Sequence, residues 1–183
     1  MSLTEILCAV VILVLVTGGV TTAVTLGARQ FNEAMRSSQS QVLCSTVQNI
    51  LSNELRYSSL VHVDGEAVGS DGASYGKTVI DFNSPMYDVH LTSADSRSKI
   101  SIVDSDGNTP SSGFGYLQIA DTDIISDSNY PYDLGIRVPL LAYDEDRHIF
   151  TVELEAADVK TGKIYATEKF QVRNANNISA STE

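Results

Sequence analysis

The chain reads as an α+β protein, with one long N-terminal helix packed on an antiparallel β-sheet. Residues 6–28 carry no charged side chain, and apolar positions then recur at helical spacing as far as Arg56. Beyond Tyr57 the composition shifts to Ser, Asp and Gly, with short alternating runs between turn clusters. Near the C-terminal end two alternating runs flank a glycine-containing loop, the pattern of a β-hairpin.

The uncharged segment 6–28 is long enough to span a hydrocarbon core with some tilt. Its second half is only weakly apolar, because Thr17, Gly18, Gly19, Thr21, Thr22, Thr25 and Gly27 interrupt it. Adjacent glycines cost roughly 1 kcal/mol each against alanine in a helix interior. Close approach of neighbouring helices through small residues is one reason to keep them. A secretory signal peptide fits less well, since the segment has no basic n-region and no A-x-A-like site followed by a domain start. Instead the helical pattern continues. Phe31, Met35, Val42, Leu43, Val47, Ile50, Leu51 and Leu55 form one apolar stripe. Gln30, Ser37, Ser40, Gln41, Gln48, Ser52 and Glu54 occupy the opposite face.

Glu5 is the only charged side chain among the first 28 residues. An acidic residue costs about 2.5–3.5 kcal/mol at mid-bilayer on insertion scales. Ser2-x-x-Glu5 is also a capping-box pattern, with Ser2 at N-cap and Glu5 reaching back from N3. Such a cap satisfies orphan N–H groups and implies no particular function.

The combination of small Ser2, apolar Leu3, Glu5, a β-branched apolar run and then glycines resembles the mature N-terminus of a type IV pilin or pseudopilin. The resemblance covers roughly the first 55 residues, a membrane span and its helical extension. It implies a helix that first anchors in the membrane and then packs inside a filament. It also implies a precursor whose basic leader, ending in Gly, is cut ahead of Met1 by a prepilin peptidase that also methylates the new amine. Glu5 would pair with the Met1 amine of a neighbouring subunit, and Gly18-Gly19 would mark a stretch of helix that melts locally on leaving the bilayer. Thr4 stands where the family more often has an aliphatic residue. Arg29 and Arg36 alone would pull the C-terminal side inward; the resemblance implies the opposite orientation, with the domain outside.

Composition narrows the partners. With 183 residues there is room for one modest domain beyond the helix. A net charge of −11 leaves no basic patch to neutralise phosphates, so direct nucleic-acid binding is not expected. Cys8 and Cys44 stand 36 positions apart on one helix, about 54 Å at 1.5 Å per residue, too far for an internal bridge.

Residues 58–173 read as the β domain. Strands are expected at Val79–Phe82, Tyr87–Thr92, Ile100–Val103, Tyr116–Ala120 and Ile136–Leu141. Asp64-Gly65, Asp71-Gly72 and Asp106-Gly107 are turn signals, and Gly65–Gly76 and Asp104–Gly115 read as exposed loops. In the final hairpin Phe150, Val152, Leu154 and Ala156 share a face with Ile164, Ala166, Phe170 and Val172, joined through Lys160-Thr161-Gly162. That register sets Glu153 opposite Lys169 and puts Glu168 on the apolar face opposite Leu154. The apolar face is expected to cover the helix between Val42 and Leu55. Residues 174–183 read as a frayed polar tail.

Little here suggests catalysis. Asp104–Asn108 superficially suggests a calcium loop, but an EF-hand needs Gly and Glu where Thr109 and Gly115 stand, so a turn is the better reading. Asp121, Asp123, Asp144, Glu145 and Asp146 read as solvated loop acids. His62, His90 and His148 lack ligand spacing. No catalytic residue, cofactor or metal site is expected. The expectation is a non-enzymatic pilin or pseudopilin subunit with residues 1–28 as membrane and filament-core helix and 29–57 as its amphipathic continuation. Its partners would be other pilins, the peptidase–methylase and the assembly machinery. It would sit in the cytoplasmic membrane before assembly and in a surface filament afterwards, serving a pilus, secretion or DNA uptake. The alternative is a single-pass anchored binding module that never polymerises.

Overall fold

The computed structural model describes residues 3–83, 98–120, 122–125 and 130–176, apart from the side chains of Glu5 and Pro131. The strand expected at Tyr87–Thr92 lies outside the described residues. The architecture is α+β, as the sequence implies: one helix, α1 (Leu3–Tyr57), and two antiparallel sheets. The chain divides into two compact units, Met1–Ser38 and Gln39–Glu183, and α1 contributes to both.

In the second unit the C-terminal turns of α1 meet a five-stranded sheet. Its strands are β1 (Val61–Val68), β2 (Ser74–Phe82), β6 (Leu134–Asp144), β7 (Ile149–Asp158) and β8 (Ile164–Arg173), side by side in that order. A smaller sheet holds β3 (Ile100–Val103), β4 (Tyr116–Ile119) and β5 (Thr122–Asp123). A two-way backbone bridge between Gly115 and Ile136 ties β6 to the smaller sheet. Leu43, Cys44, Val47, Leu51 and Leu55 on α1 share one core with Phe150, Val152, Leu154, Phe170 and Val172.

The stripe on α1 is rotated slightly from the expected one. Val42 and Phe31 are exposed, whereas Ser40 and Glu54, expected on the polar face, are buried. The buried positions 40, 43, 44, 47, 51, 54, 55 and 58 step by threes and fours, so one stripe includes three polar residues. The helix end is tied down by the C-terminal segment expected to fray. Asn174 is buried, and its Nδ2 donates to the carbonyls of Leu55 (3.1 Å) and Ser58 (3.1 Å) and to Ser58 Oγ (2.9 Å). Ala175 N donates to Arg56 O at 2.8 Å, and Asn176 Nδ2 to Tyr57 O at 2.9 Å. These bonds satisfy carbonyls that a helix C-terminus otherwise leaves open. Residues 177–183 lie outside the described residues.

Of the two expected loops, Asp104–Gly115 connects β3 to β4 with the bounds expected, and the other is shorter than the sequence suggested. Gly65–Gly76 contains the end of β1 and the start of β2, leaving only Gly69–Ala73 as a turn. Asp64-Gly65 is a bulge within β1, with Gly65 at φ 63° and a register shift beside it. The Asp71-Gly72 and Asp106-Gly107 turns form as read, and Asp104 Oδ1 accepts from Asp106 N (2.9 Å) and Asn108 N (2.8 Å). The final hairpin keeps its expected register, Glu153 opposite Lys169 and Leu154 opposite Glu168. Its connection is longer, running from Val159 to Lys163, with Gly162 left-handed at φ 68°. A bulge pairs Ala157 with Ile164 and so turns Ile164 off the core face, leaving it 45% exposed.

β7 is buried on both faces from Phe150 to Asp158. Phe150, Val152 and Leu154 meet the helix. On the outer face the β1–β2 turn lies across the sheet, where Ser70 Oγ donates to the buried carboxylate of Glu153. Gly76 makes the approach of β2 to β6 possible: its φ is 109°, and a Cβ there would collide with the Tyr143 carbonyl. Gly76→Ala is expected to cost about 1–3 kcal/mol from backbone conformation alone. Denaturant unfolding followed by near-UV circular dichroism measures it, and an unchanged midpoint would refute the strain.

Candidate functional site

The candidate site is the first half of α1. The helix begins at Leu3, which puts Glu5 in the first turn, where the capping-box reading expects it. Met1 and Ser2 lie outside the described residues, so neither the cap nor an amine partner is part of the geometry. From Ile6 to Val16 every side chain is exposed, Leu13 at 69% and Leu15 at 70%. No described residue covers this surface. By length and composition α1 is a helix able to cross a membrane; an N-terminal signal sequence meets the same criterion.

Gly18 and Gly19 lie within unbroken helix. A Cβ built at either, or at Gly27, would meet nothing within 4 Å, so no described residue of this chain requires glycine there. The threonines around them bond back to the helix. Thr21 Oγ1 donates to Thr17 O (2.8 Å), Thr22 to Gly18 O (2.9 Å) and Thr25 to Thr21 O (2.9 Å), and Thr17 bonds the Leu13 carbonyl. These hydroxyls are therefore satisfied without water, which suits an apolar environment. Such back-bonds slightly destabilise a helix, and the glycines add their own cost. Residues 17–25 are the intrinsically weakest part of an otherwise apolar rod.

The chemistry-bearing side chains of the β domain are paired with one another. His62 Nδ1 lies 2.6 Å from Asp81 Oδ1, and Tyr143 OH lies 3.1 Å from His148 Nδ1. Glu155 accepts from Arg137 Nε (2.9 Å) and Nη2 (2.5 Å), while the Arg137 guanidinium sits over Phe114. Lys169, set opposite Glu153 in register, reaches instead to Asp71 Oδ2 at 2.8 Å and lies 3.7 Å from the centre of the Tyr75 ring. Tyr75 OH also donates to Asp71. Burial pushes the Tyr130 phenol up to about 12, and its OH accepts from Leu117 N at 3.1 Å. Among the described residues no group of His, Cys, Asp and Glu side chains could hold a metal ion. His90 and Asp121 lie outside the described residues.

No family model, curated protein or solved structure matches the chain.

Two groups of the second unit are open to direct measurement, the buried Cys44 thiol and the Asp71–Lys169–Tyr75 clasp. Cys44 is 1% exposed, and burial, reinforced by the Glu168 charge, pushes its thiol up to about 11. At pH 8 N-ethylmaleimide should leave Cys44 unmodified in the folded chain and modify it in urea, read by peptide mass spectrometry. Prompt native labelling would overturn its burial. The second group is the clasp. The Lys169 and Tyr75 hydrogen bonds, with Ala73 N, hold the Asp71 carboxyl well below its usual range, and the bond to Asp71 raises Lys169. A depressed carboxyl contributes stability above its unfolded pKa of about 3.9 and loses it as pH falls through the folded value. A raised ammonium contributes below about 10.4 and loses it as pH rises through its folded value. Tyr75 ring resonances should therefore stay constant as pH falls through about 3.9, where a free aspartate titrates. A titration centred there would show that the clasp is not formed.

Proposed function

We propose that this chain is a structural subunit of a type IV pilin-like filament, anchored by the first half of α1 before assembly and polymerised through it afterwards. The observation that carries the reading is one continuous helix with two contrasting surroundings. Its last turns hold the core of the β domain, whereas the preceding turns expose an apolar surface with Glu5 at the head. A cleaved signal sequence is normally followed by a domain start; here the apolar segment runs unbroken into the helix that holds the core.

Water is a poor neighbour for that surface, so a bilayer covers it first and other copies of the helix cover it in the filament. Glu5 then meets the mature N-terminal amine of a neighbouring subunit, which the resemblance places at Met1. Burying the two charges gives little net stability, but only one register pairs them, and breaking the pair costs about 3–5 kcal/mol. The weak stretch at Gly18-Gly19 supplies the local unwinding that leaving the bilayer requires. An anchored module that never polymerises would need only the apolar length.

Glu5→Val tests the difference. The substituted chain should remain in the membrane, while its amount in a sheared surface fraction falls about a hundredfold or more, as loss of the pair implies. Mass spectrometry of the N-terminal peptide from that fraction should find an N-methylated Met1. Wild-type levels of the substituted chain in the fraction would remove Glu5 from assembly. An unmethylated N-terminus found only in membranes would favour the anchored module.

A further inference from the structure

We infer that the outer face of the five-stranded sheet carries a binding cleft for a neutral saccharide unit. This inference does not rest on the filament reading. The clasp between Asp71 and Lys169 holds the β1–β2 turn over β7 and β8. Beside it a cleft of about 320 Å³ stays open, a suitable volume for one sugar ring and its substituents.

Thr151 and Gln171, directly paired across β7 and β8, lie in this cleft. Gln171 Nε2 donates to Thr151 Oγ1 at 3.3 Å, which fixes the amide and leaves its Oε1 and second N–H to a ligand. Ser74 and Tyr75 line one side, and the Lys169 and Asp71 contacts hold the Tyr75 ring in place. Asp144, the last residue of β6, and Arg147, in the turn that follows it, line another side. Asp144 Oδ1 is occupied by the N–H groups of Asp146 (3.0 Å) and Arg147 (3.1 Å), while among the described residues Oδ2 has only Arg147 Nε at 3.8 Å. The cleft thus combines an acceptor-only carboxylate and a donor-only guanidinium with the Gln171 amide and the exposed Ser74 hydroxyl, which do both; Thr151 is buried beneath and serves to fix the amide. Vicinal hydroxyls, each able to donate and accept, match that set.

Other ligand classes fit poorly. An apolar ligand would find only Ile149 and the Tyr75 ring as large apolar partners. An anion would meet one arginine already beside a carboxylate, in a chain of net charge −11. A divalent cation would find a single carboxylate and no His or Cys in the cleft.

The test is saturation-transfer NMR on the full chain in lauryldimethylamine-oxide micelles, whose headgroup is not a sugar. The probes are the methyl glycosides of glucose, galactose, mannose and N-acetylglucosamine, with inorganic phosphate as a comparison. At least one glycoside should bind with a dissociation constant on the order of 1 mM. Gln171→Ala and Arg147→Ala alter exposed side chains and should keep the native near-UV spectrum while weakening that binding about fivefold or more. No glycoside signal at concentrations about tenfold higher would overturn the inference. So would equal binding by both variants, or binding of phosphate in place of glycoside.

Discussion

The domain depends on burial of the last turns of α1 beneath β7 and β8. Val47, Leu51 and Leu55 are wholly excluded from solvent, and each such side chain contributes about 1.5–3 kcal/mol. Burial on that scale needs a fixed helix end, because a frayed last turn would release Leu55 first. Asn174 provides it from the far end of the domain, with three hydrogen bonds into the Leu55–Ser58 turn. The first and last described segments of the domain therefore close on each other, and the strands between them are held in register against the helix.

The outer face of the same sheet is organised by charge. Glu153 and Glu155 are buried on β7, and each takes partners that remove the cost of isolation: Ser70 for one, Arg137 for the other. Such buried pairs add little net stability over an apolar equivalent, but a lost partner is costly. They act as register marks. A slip of one residue along β7 would send both carboxylates into the aliphatic core and set Val152 and Leu154 among the polar groups of the outer face.

Much of this was legible from local pattern alone. The long helix, the final hairpin with Glu153 opposite Lys169, and the left-handed Gly162 follow from periodicity and turn chemistry. What local pattern could not supply came from distant chain. β1 was not expected because Asp64-Gly65 looks like a turn; it is a bulge only because β2 pairs alongside. Ser40 and Glu54 looked like solvent positions, and the fold closes over them. Asn174 looked like the start of a polar tail, since nothing nearby in sequence shows that carbonyls of Leu55 and Ser58 await its amide. Of the candidate site, the apolar span, Glu5 and the glycines were all visible. The self-satisfied threonine hydroxyls were hinted at only by their spacing of three and four.

Those hydroxyls bear on why the exposed half of α1 is built as it is. A helix meant only to anchor does best as a uniform aliphatic rod, since leucine costs nothing in hydrocarbon and helps the helix. Residues 17–25 give up that advantage by placing glycines and threonines in the middle of the span. The threonines keep the segment compatible with lipid by bonding to Leu13, Thr17, Gly18 and Thr21, so the loss falls on helix stability more than on solvation. The sequence thus tolerates a weaker helix while remaining insertable. On the proposed reading that trade has a purpose: a rod leaving lipid for a bundle must yield somewhere, and it yields where small residues also let neighbours come close. An anchor that stays in place gains nothing from it.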